Sequence, residues 1–309
     1  MKKIILDCDP GHDDMVAIIL ACASDGLDIL GITTVAGNQT GDKTLLNALK
    51  TLTLIGEKNI PVAGGFDRPL TGKLVTAPHI HGLSGLDGAD LPDPEIKPLK
   101  IHAVDFIELT LMKADEKVTV IATGPLTNIA VLLLKSAQIK EKIERIIIMG
   151  GAVYESNITP SAEFNIYVDP EAAGIVLNSG IPVTMVTLDV SNKAIFTLED
   201  IDNIKSLNGK VSRVVSGLLR FFAEANIKSF GFEGAPLHDP ITVAYAVDPD
   251  IIETELYHVD IETKGEYTRG KTVVDVYGVT KKNTNAEISV SLDLARYKDL
   301  ITGAVKKFD

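Results

Sequence analysis

Apolar positions along the chain gather into short, nearly continuous runs, each closed by small polar residues and followed by a stretch with helical spacing. Residues 2–6 read as a buried strand and 15–23 as a helix. The run 27–35 ends in Ala36-Gly37-Asn38, 118–122 in Thr123-Gly124-Pro125, 143–149 in Gly150-Gly151, and 182–188 in Asp189. Rich in β-branched residues and hydrophobic throughout, these runs predict parallel strands covered on both faces. Helices are expected over 43–55, 103–113, 126–135 and 169–178. The last opens on Asp169-Pro170-Glu171, an N-cap aspartate with proline at the first helical position, so Asp169 receives a structural role. Two polar segments, 64–100 and 153–167, break the alternation, and the first is long enough to expect a functional loop. After Pro249 the pattern changes to short strands at 257–261, 272–276 and 286–290, with a final helix over 292–306. The expected fold is α/β, with residues 1–309 as a single domain. A mostly parallel central sheet is flanked by helices, and a small antiparallel extension follows at the C-terminus.

Composition narrows the function classes. A hydrophobic content of 45% with 23% charged residues supplies ample core for a globular chain. The formal net charge of −12 argues against nucleic acid or an anionic membrane as partner. No run approaches the roughly 20 apolar residues of a membrane span, and the apolar run after Met1-Lys2-Lys3 stops at Asp7, so a cytoplasmic protein is expected. The two cysteines, Cys8 and Cys22, make neither a disulfide framework nor a tetrahedral zinc set.

The chemistry concentrates in Asp7-Cys8-Asp9-Pro10-Gly11-His12-Asp13-Asp14, four carboxylates at a strand-to-helix turn. Helix capping and the helix dipole account for Asp13 and Asp14 but not for Asp7 and Asp9. Like charges this close raise one another's pKa unless a cation sits among them, and hard oxygen ligands suit Ca²⁺ or Mg²⁺. In open α/β sheets ligands bind beyond the carboxyl ends of the strands, so Asp9, Asn38, Thr123 and Gly150 should converge. Residues 265–272 match a phosphate-binding loop, but an alternating strand follows where the mechanism needs a helix, so a hairpin turn is expected. Asp7 and Asp9 also have the spacing of a metal-dependent phosphatase with an aspartate nucleophile, though Asp13 and Asp14 add anions where a phosphate needs room. A non-catalytic nucleoside-binding protein is a third reading.

Together with this cluster, five further blocks stand in order: residues 33–38, 124–128, 149–151, 162–165 and His238-Asp239-Pro240. They give the chain a resemblance, over essentially its whole length, to the nucleoside hydrolases of the inosine/uridine-preferring type. The resemblance implies hydrolysis of a ribonucleoside to ribose and free base, in nucleoside salvage. It also implies a Ca²⁺ held by Asp9, Asp14, Asp239 and the Thr123 carbonyl, with Asp9 taking the proton of the attacking water. Asp13, Asn38, Asn157, Glu163 and Asn165 would contact the ribose, the last two from one face of an extended segment, over an apolar floor at Met149. His238 would lie near the leaving base and His81, rather than His79, would reach in from a flap. Asp7 has no metal role in that pattern, and His12 is assigned none. Residues 226–232 should border the base, and uridine and cytidine are favoured over purines. The resemblance further implies a homodimer or homotetramer.

Overall fold

The hydrophobic runs lie side by side in one sheet in the computed structural model, which describes all 309 residues. The strands are β1 (Lys2–Cys8), β2 (Leu27–Thr34), β3 (Val62–Gly64), β4 (Val118–Ala122), β5 (Ile143–Met149), β6 (Val183–Val186), β7 (Ile195–Thr197), β8 (Gly234–Pro236), β9 (Ile252–Tyr257), β10 (Val259–Ile261), β11 (Thr272–Val274) and β12 (Ala286–Leu292). Eight of them form the main sheet in the order β3-β2-β1-β4-β5-β6-β12-β9, parallel except for β9 at the edge. The helices are α1 (His12–Ala23), α2 (Gly41–Leu54), α3 (Pro78–His81), α4 (Ala103–Lys113), α5 (Thr127–Lys135), α6 (Phe164–Val168), α7 (Pro170–Leu177), α8 (Leu188–Ser191), α9 (Leu198–Ser206), α10 (Lys210–Phe230), α11 (Pro240–Val247) and α12 (Leu294–Lys307).

Both faces of the sheet are covered. Ile4 and Leu6 of β1 join the core beneath α1, α2, α10, α11 and α12, while Ile5 between them joins the core beneath α4, α5 and α7. That alternation is the two-residue period of a strand, and covering both faces explains why Ile4, Ile5 and Leu6 of β1 are hydrophobic without a break.

Several expectations change in detail. The run 182–188 is only four residues of strand, because Leu188 donates its N–H to the Gly151 carbonyl and turns the chain into α8. Asp189 then accepts the N–H groups of Val153 and Tyr154, tying down the segment after β5. The run 257–261 is broken at His258 into β9 and β10. The antiparallel extension is smaller than expected: β10 pairs with β11 and β9 with β12, but β12 itself enters the main sheet parallel to β6. The pair β7–β8 and the helices α9 and α10 were not legible as strand runs and enter as new elements. Residues 265–271 are the connection between β10 and β11, where Arg269 is paired with Glu171 at 2.8 Å and Lys271 reaches the Val153 carbonyl. No helix is long and apolar enough to cross a membrane.

Candidate active site

At the carboxyl end of β1 the chain passes through Asp9 and Pro10 into α1, whose first turn carries Asp13 and Asp14. Asp239, immediately before Pro240 at the start of α11, arrives at the same place. Carboxylate oxygens of Asp13, Asp14 and Asp239 lie within 4.8 Å of one another, and all three residues are buried. Asp14 is anchored by the N–H of Gly11 (3.0 Å), the Thr123 hydroxyl (2.7 Å) and the Asn38 amide (3.1 Å). Asp9 lies against this triad with no exposed surface, and its Oδ2 accepts the Asn38 N–H at 2.7 Å. A Cβ on Gly37 would stand 2.1 Å from Asp9 Oδ2 and one on Gly124 2.6 Å from Oδ1, so both neighbouring turns need glycine to admit this carboxylate.

Burial raises all four pKa values, Asp13 to about 7, Asp9 and Asp239 well above the usual range and Asp14 in the same direction, and neighbouring carboxylates reinforce the shift at Asp9, Asp13 and Asp239. No lysine or arginine forms an ion pair with any of them. Asp9 Oδ1 and Asp13 Oδ1 are buried without a hydrogen-bond partner. Orphaned anionic oxygens at this cost are the signature of a missing positive charge, and an all-oxygen set fits a hard divalent cation. Asp7 belongs to the scaffold: its Oδ1 receives Thr33 (2.5 Å) and Asn128 (2.8 Å), joining β1 to β2 and α5, while burial pushes its pKa to about 6.

Above the acids opens a cavity whose lining includes Asp13, Asn38, His81, Thr123, Met149, Asn157, Glu163, Asn165, His238 and Asp239. Every residue expected to touch a sugar therefore shares one space, with Asp9 and Asp14 beneath it. The segment carrying Glu163 and Asn165 is not extended. Glu163 N-caps α6, accepting the N–H groups of Asn165 (2.8 Å), Ile166 (3.0 Å) and, from the preceding loop, Gly151 (2.9 Å). Asn165 turns its amide onto the Thr123 carbonyl (2.8 Å) and the Met149 carbonyl (3.1 Å), and Asn157 accepts the Phe164 N–H. These contacts fix what remains free. Asn38 and Asn165 spend their amide hydrogens on oxygens, so each keeps a carbonyl oxygen for a hydroxyl donor.

The cavity lining also has an apolar and aromatic part, formed by Ile80, Phe222, Phe230 and Phe232, with Asn192 and Asn226. Residues 226–232 thus border the site as expected. Phe222, Ile80 and Asn192 were missed, although the buried stripe Val211, Val215, Leu218, Leu219, Phe222 along α10 is a readable helical pattern. His238 Nδ1 contacts the Ser191 hydroxyl at 2.9 Å, and burial lowers its pKa to about 4. His79 also lines the cavity. His12, which carried no assignment, is buried against His81, their Nδ1 atoms 3.2 Å apart.

A family profile described as inosine-uridine preferring nucleoside hydrolase matches residues 4–299. The pyrimidine-specific ribonucleoside hydrolase RihA of Shigella boydii is 49% identical over 304 residues, covering 98% of each chain. Its namesake from Shewanella woodyi is 48% identical over 99% of each. Among solved structures, a purine-preferring ribonucleoside hydrolase from Gardnerella vaginalis superposes with a TM-score of 0.93 at 32% identity, covering 99% of both chains. With an acid-floored cavity at the carboxyl ends of the strands and a family match that spans all of its blocks, the chain belongs to the inosine–uridine-preferring nucleoside hydrolases, hydrolases of N-glycosyl bonds.

Proposed function

We propose that this chain is a Ca²⁺-dependent hydrolase of pyrimidine ribonucleosides, uridine and cytidine foremost with inosine secondary, releasing ribose and free base in nucleoside salvage. The observation that carries the reading is the polarity of the cavity. Its lining divides in kind between acceptors and acids on one hand and rings and apolar side chains on the other, and no lysine or arginine belongs to it. A neutral polyol joined to a flat heterocycle matches that division, whereas a phosphate ester would find no lysine or arginine to hold its oxygens. Relatives at 48–50% identity bear the name pyrimidine-specific, which supports the choice of base.

Asp9, Asp14, Asp239 and the Thr123 carbonyl would hold the ion, which when bound neutralises the acid floor and acidifies a coordinated water. Asp9 Oδ1, the oxygen without a protein partner, accepts the proton of the attacking water as the glycosidic bond breaks. The ribose ring gains positive charge in that step, and the acids beneath it stabilise the oxocarbenium-like state. Asp13, Glu163 and the free carbonyl oxygens of Asn38 and Asn165 accept hydrogen bonds from ribose hydroxyls, Asn157 contributes its amide, and Met149 floors the sugar. His238 faces the leaving base, held by Ser191. Assembly as a homodimer or homotetramer and a cytoplasmic location belong to the same reading.

The test is ribose release from uridine, cytidine, inosine and adenosine, with added Ca²⁺ and after chelation. Chelator-sensitive release with the two pyrimidine substrates fastest is the expected result. Absence of ribose from all four in folded, Ca²⁺-loaded protein would overturn the assignment.

A further inference from the structure

We infer that His12 is a positioning residue that fixes the ring tautomer of His81, so that His81 presents a lone pair, not an N–H, to the substrate. This rests on the reading of the cavity as a nucleoside site. Three contacts define the pair. His12 Nε2 lies 2.8 Å from the Asp87 carbonyl, the two Nδ1 atoms are 3.2 Å apart, and the His12 backbone N–H is directed at His81 Nδ1 from 3.3 Å. His81 Nε2 has no protein partner, and the residue lines the cavity.

A carbonyl only accepts, so His12 must carry its proton on Nε2, and its Nδ1 is then an acceptor. His81 Nδ1 can satisfy that acceptor only by donating. The competing arrangement lets His81 Nδ1 accept the backbone N–H of His12, but it sets two lone pairs against each other at 3.2 Å. Moving the His12 proton to Nδ1 relieves that contact and transfers the repulsion to the 2.8 Å carbonyl. The chosen arrangement turns the His81 Nδ1 proton to His12 Nδ1 and gives up the longer 3.3 Å bond from the His12 backbone N–H, one of the first-turn groups that helices leave unpaired within themselves, to make the shorter 3.2 Å ring contact. Both rings are buried, which favours the neutral form of each.

The surroundings hold the pair rigid. His12 stacks on Phe221 and Phe222, and His81 on Phe222, with centroids 5.2–5.5 Å apart. A Cβ on Gly11 would stand 2.6 Å from His81 Nδ1 and 2.9 Å from the Asn38 amide, so only glycine lets the ring lie here beside Asn38. The Asp87 carboxylate accepts the N–H groups of Leu83 and Ser84, fixing the loop whose carbonyl orients His12. Because His81 sits next to Asn38, its partner is a sugar hydroxyl. Proton donation to a leaving base is then left to His238, whose Ser191 partner can either give or accept a hydrogen bond.

The experiment is nitrogen-15 NMR of the full-length, histidine-labelled protein, in which ring-nitrogen shifts distinguish protonated from unprotonated positions among six histidines. Single variants at positions 12 and 81 assign the resonances. The expected result is a proton on His12 Nε2 and on His81 Nδ1 in the unaltered, substrate-free protein. His12→Phe keeps the stacking but not the acceptor, so the His81 proton should move to Nε2 and KM for uridine should rise about tenfold with kcat less affected. His12→Asn restores an acceptor near Nδ1 and should recover both the tautomer and most of KM. A proton on His81 Nε2 in the unaltered protein overturns the inference, whether or not the variants fold. An unchanged His81 tautomer in folded His12→Phe overturns it as well. Neither result depends on the substrate assignment, which the ribose-release assay decides separately.

Discussion

Asp9 concentrates the chemistry at the scale of single residues. Its Oδ2 is committed to the Asn38 N–H, and its Oδ1, which has no hydrogen-bond partner, is the proposed base. Asp9→Asn keeps the shape and the Asn38 contact while removing the proton acceptor, and is expected to lower kcat by about 10³-fold, within the range of a lost general base. Ribose release within tenfold of the unaltered rate would show that the proton goes elsewhere. Asn165 acts one layer out, because its amide orients the Thr123 carbonyl beside the acids. Asn165→Ala should weaken Ca²⁺ affinity about tenfold in a calorimetric titration, the scale of losing a group that orients a ligand. An unchanged dissociation constant would mean that the amide serves only the sugar.

Single elements show what ties the frame together and how much of it is readable in advance. Arg145 on β5 reaches Thr184 on β6 (2.8 Å), Tyr245 on α11 (2.9 Å) and Glu287 on β12 (2.6 Å), so one half-buried guanidinium joins four elements. Glu287→Gln weakens that junction and is expected to cost about 1–3 kcal/mol in urea unfolding, with kcat of the folded protein unchanged; an unaltered midpoint would mark the network as solvated. The strand runs were legible because parallel strands buried on both faces leave short apolar stretches, such as residues 4–6 of β1, 120–122 of β4 and 146–149 of β5. The acid cluster was legible because its costly spacing has few explanations. Two classes of feature were not. β12 entering the sheet beside β6 is a long-range pairing with no local pattern, and the extended segment assumed for Glu163 and Asn165 is overridden by Glu163 capping α6. The His12–His81 contact spans 69 residues, and nothing in either neighbourhood announces it.

For the molecule as a whole, the acids beneath the cavity set a trade between stability and cation occupancy. Buried carboxylates without a counter-ion destabilise the native state, so a cation that binds only the folded chain should raise the melting temperature. Each tenfold rise in free Ca²⁺ above the dissociation constant should add about 1.4 kcal/mol to stability, read by thermal unfolding with and without chelator; a melting temperature independent of Ca²⁺ would rule out a cation at the acids. Three of these acids lie within the first fourteen residues, while Asp239 is supplied at the start of α11, far along the chain. During synthesis the early carboxylates therefore emerge without their fourth companion. A cation that needs all four would then act as a fastener, closing only once most of the polypeptide has left the ribosome.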